Sequence, residues 1–200
     1  MALLPYLEAN RLEAGCDEVG RGCLAGPLMA AAVILPENYT NEWINDSKKL
    51  SKSNREHLVD EIKSAALSWA IAEASVAEID EINILNASFL AMKRAVLQLK
   101  TEPEHLLIDG NRWKSDLKTP FTCVVKGDGK YASIAAASIL AKVARDKFME
   151  QLSEEFPYYA WESNAGYPTR AHREGILAHG ACIWHRKSFR LLSKQMTLDL

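Results

Sequence analysis

Four carboxylates stand where a folded chain could gather them. Asp17 and Glu18 are adjacent within AGCDEVGRGCLAGP (residues 14–27), and Asp109 and Asp128 each lie beside glycine, in LLIDGN and KGDGK. Each aspartate alone reads as a turn former, because a short acidic side chain next to glycine suits a chain reversal. Their placement says more: each closes or follows a short apolar run. In open α/β sheets, ligand sites lie off the carboxyl ends of strands. Four carboxylates brought together there would repel and desolvate one another unless a cation intervened. An all-oxygen donor set with no His or Cys partner favours Mg2+ or Mn2+ over Zn2+. Two such ions about 4 Å apart can activate a water and stabilise a leaving oxygen, which is phosphoryl-transfer chemistry.

Asp17 and Glu18 pose a geometric problem. Neighbours on a regular strand point to opposite faces. Both can serve one site only if the strand bends at the glycines that follow, or if Glu18 acts through its carbonyl or a water.

The elements that must carry these residues are legible in the pattern. Residues 12–18 and 27–35 (PLMAAAVIL) read as strands joined by a glycine-rich turn. Ser53-x-x-Glu56 matches a capping box and predicts a helix over about 54–66. Residues 67–76 suit a third strand. Leu85, Phe89, Met92, Val96 and Leu99 recur at helical spacing and predict an amphipathic helix over 84–100 packed on the sheet. Two further runs, 105–109 and 121–126, lead into Gly110-Asn111 and Gly127-Asp128-Gly129. A long helix over 131–153 is crowded with Ala and Ser in its first half, so a sheet or ligand can approach its backbone. Beyond Pro157 the chain predicts two short helices, about 170–180 and 186–194. Strands alternating with helices imply an α/β fold with a mixed sheet.

Composition allows one globular domain with a sizeable core, at 200 residues, 48% hydrophobic and 25% charged. No apolar run reaches the length of a membrane span, and the N-terminus lacks the basic start and apolar stretch of a signal peptide. Cys16, Cys23, Cys123 and Cys182 show no metal-like spacing and read as reduced thiols of a cytoplasmic protein. Residues 1–109 carry 10 Lys and Arg against 17 Asp and Glu, whereas residues 110–200 carry 14 against 9. A basic half beside an acidic site suits a polyanionic ligand.

The stretches GCDEVGRGCLAGPL, DSKKLS, LLIDGN, KGDGKYASIAAASILAKVARD, GYPTRAHREGI and HRKSF, in this order from about residue 13 to 190, resemble bacterial type 2 ribonuclease H (ribonuclease HII). The resemblance implies a ribonuclease H-like fold: a five-stranded mixed sheet flanked by helices, with a small C-terminal helical region. On that reading residues 1–156 form the catalytic domain, 157–194 a helical region contributing to the substrate site, and 195–200 a tail. The start so close to the first motif favours type 2 over the type 3 enzymes, which carry an extra N-terminal domain. The family's four catalytic and metal-binding acids map onto Asp17, Glu18, Asp109 and Asp128. Gly20, Arg21 and Gly22 map onto the ribose-reading turn, and Tyr167 onto a second reader whose ring would exclude a 2′-hydroxyl on the following sugar. Lys48, Lys49, Lys142 and Arg145 become phosphate contacts, which set register and not sequence. His172 and His185 read as structural histidines, with assistance near the site or phosphate binding as the alternatives.

The implied activity is cleavage of the RNA strand of RNA/DNA hybrids. It extends to incision 5′ of single ribonucleotides in duplex DNA, with two Mg2+ or Mn2+ ions, leaving a 3′-hydroxyl and a 5′-phosphate. The final Gln195-Met196-Thr197-Leu198-Asp199-Leu200 resembles a sliding-clamp-binding hexapeptide, with Gln195, Met196, Leu198 and Leu200 as anchors. A monomer is expected. Four acids alone would equally serve another two-metal nuclease of this fold, such as a Holliday-junction resolvase; a catalytically silent hybrid-binding protein would lack one of them.

Overall fold

The structure, a computed structural model, describes residues 3–41, 43–44 and 51–192. Five strands form one mixed sheet: β1 (Glu13–Val19), β2 (Leu28–Ile34), β3 (Ser68–Ala74), β4 (His105–Asp109) and β5 (Phe121–Val124), in the order β3-β2-β1-β4-β5. β1 is central. It pairs antiparallel with β2, with Asp17 opposite Ala31, and parallel with β4, with Cys16 opposite Ile108. β5 extends the sheet parallel to β4.

Five helices accompany the sheet: α1 (Lys52–Ala65), α2 (Val76–Leu97), α3 (Ala132–Glu155), α4 (Trp161–Asn164) and α5 (Arg170–His179). Strand alternation divides the core. Ala14 and Cys16 of β1, with Leu28, Ala30 and Ala32 of β2, pack against Ala87, Ala91 and Met92 of α2. Ala31 and Val33 face the other way, onto Leu58 and Ile62 of α1 and Ala136 and Leu140 of α3. Each large aliphatic side chain buried in these layers contributes about 1.5–3 kcal/mol.

The alanine-rich start of α3 has a specific use. A Cβ on Gly15 would lie 2.2 Å from the carbonyl carbon of Ser133, so α3 rides directly on the backbone of β1. Small residues on both partners permit this approach. By alternation, Asp17 lies on the same side of β1 as Gly15, facing α3.

Three expectations about elements change. The N-cap of α1 is Ser51, whose hydroxyl accepts from the backbone N–H of Asn54, and not Ser53. The capping box belongs to α2, where Ser75 and Glu78 satisfy each other's backbone N–H groups. α2 begins before the expected 84 and is broken at Asn83 (φ 66°), whose side chain accepts from the N–H groups of Leu85 and Asn86. Residues 186–192 form turns, not the expected helix. The backbone N–H groups of Lys187 and Ser188 donate to the carboxylate of Asp80, each at 2.9 Å, and that of Arg186 donates to the Leu24 carbonyl. Among the described residues, no helix is long and apolar enough to cross a membrane.

Candidate active site

Asp17, Glu18, Asp109 and Asp128 line one cavity of about 470 Å³. Asp17 lies near the end of the central strand, Asp109 closes the neighbouring β4, and Asp128 sits in a single 3-10 turn, Gly127–Gly129. The Gly127 N–H donates to Asp109 Oδ1 at 2.6 Å and ties that turn to the end of β4. A Cβ at Gly127 would meet Ile134 Cδ1 at 2.5 Å and Asp109 Oδ1 at 3.2 Å, so only glycine allows the contact. Asp17 and Glu18 both reach the cavity because it opens at the end of the strand and not over one face. β1 stops at Val19, and Gly20 turns the chain at φ 95°.

The electrostatics fit a cation. Burial pushes Asp17 up to about 8, with the charges of Glu18 and Asp109 adding to the rise. Glu18 is raised by burial, while Arg21, whose Nη1 donates to Glu18 Oε1 at 3.2 Å, opposes the rise. The donor set is oxygen only, suited to a hard divalent ion. Among the described residues, no three His, Cys, Asp or Glu groups already form a closed cage. The carboxylates share a cavity but are partly engaged in local hydrogen bonds: Asp17 Oδ1 accepts the Glu18 N–H at 2.7 Å.

One wall of the cavity carries Tyr167. A Cβ on Gly22 would lie 3.9 Å from Tyr167 Cε1, which places the ring beside the glycine turn. The Tyr167 hydroxyl is raised above its ordinary value, by burial first and then by Cys23. Arg21 is exposed on this side. Lys142 also lines the cavity, and its Nζ donates to Asp146 Oδ1 at 2.5 Å. Arg55, Lys126 and Ser138 also line it, and the sequence reading missed all three. Arg55 lies in the first turn of α1. Lys126 had no signal, because its left-handed backbone (φ 55°) is unusual for lysine.

Arg145 must be reassigned. It is fully buried, and its guanidinium donates to three carbonyls: Nε to Pro27 at 2.9 Å, Nη1 to Ala165 at 2.7 Å and Nη2 to Ala25 at 3.0 Å. A phosphate cannot reach it. Arg186, likewise fully buried, donates through Nε and Nη2 to the Gly26 carbonyl, at 3.0 and 2.9 Å. Together the two guanidiniums fasten the loop after Gly22 to the segments bearing Tyr167 and His185. His172 and His185 are buried below that loop, 0% and 1% exposed. Lys48, Lys49, Gln195, Met196, Leu198 and Leu200 lie outside the described residues.

Comparison with known proteins gives the family and the fold. Residues 14–195 match the family model for ribonuclease HII. The chain is 60% identical over 196 residues to Ribonuclease HII of Parabacteroides distasonis, covering 98% of each. It is 58% identical over 198 residues to Ribonuclease HII of Phocaeicola vulgatus, covering 99% of this chain and 98% of the relative. Among solved structures, ribonuclease H2 from Pyrococcus horikoshii OT3 superposes with a TM-score of 0.75 at 23% identity, covering 94% of this chain and 97% of that one. The RNase HII of a PCNA:RNase HII complex from Archaeoglobus fulgidus gives 0.74 at 27% identity, covering 91% and 95%. Bst-RNase HIII in complex with Mn2+ gives 0.71 at 21% identity, covering 94% and 70%. The sheet order, the shared acidic cavity and the near full-length identity converge: the chain belongs to the ribonuclease HII family, and it is a type 2 ribonuclease H, an endonuclease of RNA/DNA hybrids.

Proposed function

We propose that this cavity, beyond cutting hybrids, incises duplex DNA 5′ of a single embedded ribonucleotide, leaving a 3′-hydroxyl and a 5′-phosphate. The carrying observation is that Tyr167 lies against Gly22 on the wall of the cavity that the four carboxylates line. Only an RNA residue offers a 2′-hydroxyl for such a wall to read. Glycines at 20 and 22 let backbone groups approach the sugar, and the Tyr167 ring would crowd a 2′-hydroxyl on the next sugar. The site would therefore favour a ribonucleotide followed by a deoxyribonucleotide.

Asp17, Glu18, Asp109 and Asp128 would hold Mg2+ or Mn2+. A solved relative of the same fold carries Mn2+, and the burial-raised acids here give a cation a repulsion to relieve. The chemistry a bound pair of ions supplies there is acidification of a water and stabilisation of the departing 3′ oxygen. The chain's own groups set the rest. Asp17 and Asp109 are oriented by backbone N–H donors, Lys142 lies where a backbone phosphate would pass, and Tyr167 and the glycine turn fix the scissile ribose. The helical region after residue 156 thus contributes to the substrate site.

Two accessory readings complete the proposal. The free thiols of all four cysteines suit a cytoplasmic site of action. The terminal hexapeptide would tether the enzyme to a sliding clamp, a reading supported by the PCNA complex of the Archaeoglobus fulgidus relative; deletion of residues 195–200 should then abolish clamp binding.

The decisive experiment incubates the protein with a DNA duplex carrying one ribonucleotide, with and without Mg2+ or Mn2+. Metal-dependent incision on the 5′ side supports the proposal. Cleavage of all-RNA hybrid with an intact embedded-ribonucleotide duplex would refute it.

A further inference from the structure

His172 on α5 and His185 on the following segment take no part in the chemistry proposed above, yet they are the most enclosed histidines beside it. Their Nε2 atoms are 3.2 Å apart. Groups that can act in only one direction fix where their protons sit. The Trp161 indole Nε1–H, a donor only, reaches His172 Nε2 at 3.0 Å, so that nitrogen presents a lone pair. The proton of neutral His172 then lies on Nδ1, which is 2.9 Å from the Tyr167 carbonyl, an acceptor only. At His185, the Cys182 backbone N–H reaches Nδ1 at 3.0 Å, leaving its proton on Nε2, directed at His172. Three one-way groups on different segments thus agree on a single proton order, running Cys182 to His185 to His172 to Tyr167.

The surroundings keep both rings neutral. Burial lowers His172 and His185, the latter to about 4, with His172 adding to the fall at His185 and Arg173 to that at His172. The remaining groups facing the pair are the Cys182 thiol and the Tyr159 ring, with Arg173 adjacent on α5. No carboxylate faces the pair to stabilise an imidazolium among the hydrogen bonds these rings make. The ring spacing also resembles that of two metal ligands, but the His172 lone pair is already shared between the Trp161 and His185 N–H groups, and no third ligand is grouped there among the described residues.

We propose that His172 is a positioning residue: the proton order set by Trp161 and His185 puts its Nδ1–H on the Tyr167 carbonyl, which fixes the Tyr167 backbone beside Gly22 and thereby sets discrimination between embedded ribose and all-RNA hybrid. This rests on the reading of Tyr167 as the ribose contact. The relay acts through Tyr167 and touches neither substrate nor the carboxylates.

Two substitutions at one position separate the roles. His172→Asn keeps a donor where Nδ1 stands but loses the acceptor for Trp161 and His185. His172→Gln keeps a group at the Nε2 position and loses the donor to Tyr167. Both cost stability, whereas only His172→Gln should lower kcat/KM on a single-ribonucleotide duplex, by about tenfold for one lost hydrogen bond, with all-RNA hybrid changed less than about twofold. His172→Asn should keep the wild-type ratio of the two substrates. A ratio retained in both variants, or lost in both in step with their melting temperatures, overturns the proposal. Tyr167→Ala is run beside them: an unchanged ratio there overturns the ribose-reading role itself, while a collapsed ratio there with His172→Gln unaffected overturns the relay alone. Should the variants not fold, nitrogen-15 spectra of the wild-type protein decide: His172 protonated on Nδ1 and His185 on Nε2 support the relay, and Nε2 protonation of His172 overturns it.

Discussion

Asp17 illustrates how a residue can be worse for the fold than its replacement and still be required. It is raised from an ordinary value of 3.8 to about 8, burial first, because an anion there is desolvated and faces Glu18 and Asp109. Folding therefore takes up a proton between those values, and the cation-free protein weakens as pH rises from about 4 to about 8. Asp17→Asn removes that charge in the same shape. It should abolish cleavage while raising cation-free stability at pH 7 by on the order of 2 kcal/mol; thermal melts in a chelating buffer beside a hybrid-cleavage assay check both halves. A second contrast concerns two cations of α3. Lys142 lines the cavity, whereas Arg145 spends its guanidinium on carbonyls. Lys142→Ala should reduce the salt dependence of substrate binding by about one phosphate contact, and Arg145→Lys should leave that slope unchanged while lowering the melting temperature. The four acids were legible because each closes or follows a short apolar run, with a glycine next to Asp109 and Asp128 and within two or three residues of Asp17 and Glu18. The division between Lys142 and Arg145 was not: three residues apart on a helix, they differ by about 60° around the axis, and only the loop over Gly20 decides which is covered. There a Cβ on Gly20 would meet Arg145 Nε at 2.4 Å.

At the scale of elements, the site depends on how closely α3 sits on β1. Gly15 has no room for a methyl group, with Ser133 C at 2.2 Å and Ile134 N at 2.3 Å, both backbone atoms. Gly15→Ala must lift α3 from the sheet. A cost of at least about 3 kcal/mol is expected, at the high end of overpacking. Cleavage should fall even in the folded fraction, because Ser138 and Lys142 travel with the helix. Unchanged melting and turnover would show that this contact does not set the site. Strand positions were read from the sequence to within about two residues because alternation and glycine turns mark both ends. Helix beginnings were harder. Ser51 and Ser53 both offer a capping hydroxyl, and it is Ser51, extended at ψ 160°, that caps Asn54 while Ser53 lies inside the first turn. The turns at 186–192 escaped because their N–H donors are taken by Asp80, more than a hundred positions earlier, which no local pattern records.

At the scale of the molecule, the C-terminal region is a buried polar buttress. His185 is neutral when folded, lowered to about 4 from an ordinary 6.5. The unfolded chain binds that proton first, so the stability it contributes is whole above about 6.5 and is lost as pH falls towards about 4. The difference between wild type and His185→Gln should accordingly shrink across that window in denaturant titrations; a constant difference would mean that folding leaves the proton affinity of this imidazole unchanged. Arg186, from this same region, grips the Gly26 carbonyl and reaches Arg21. That grip has a consequence for synthesis. A ribosome releases all four acids long before it releases Arg186, so a nascent chain can assemble its acidic pocket while the turn beside Tyr167 is still unpinned. On the proposed reading of Tyr167, selectivity would be the last property the newborn enzyme acquires, and chains terminated just short of Arg186 should be the least discriminating of those that still fold.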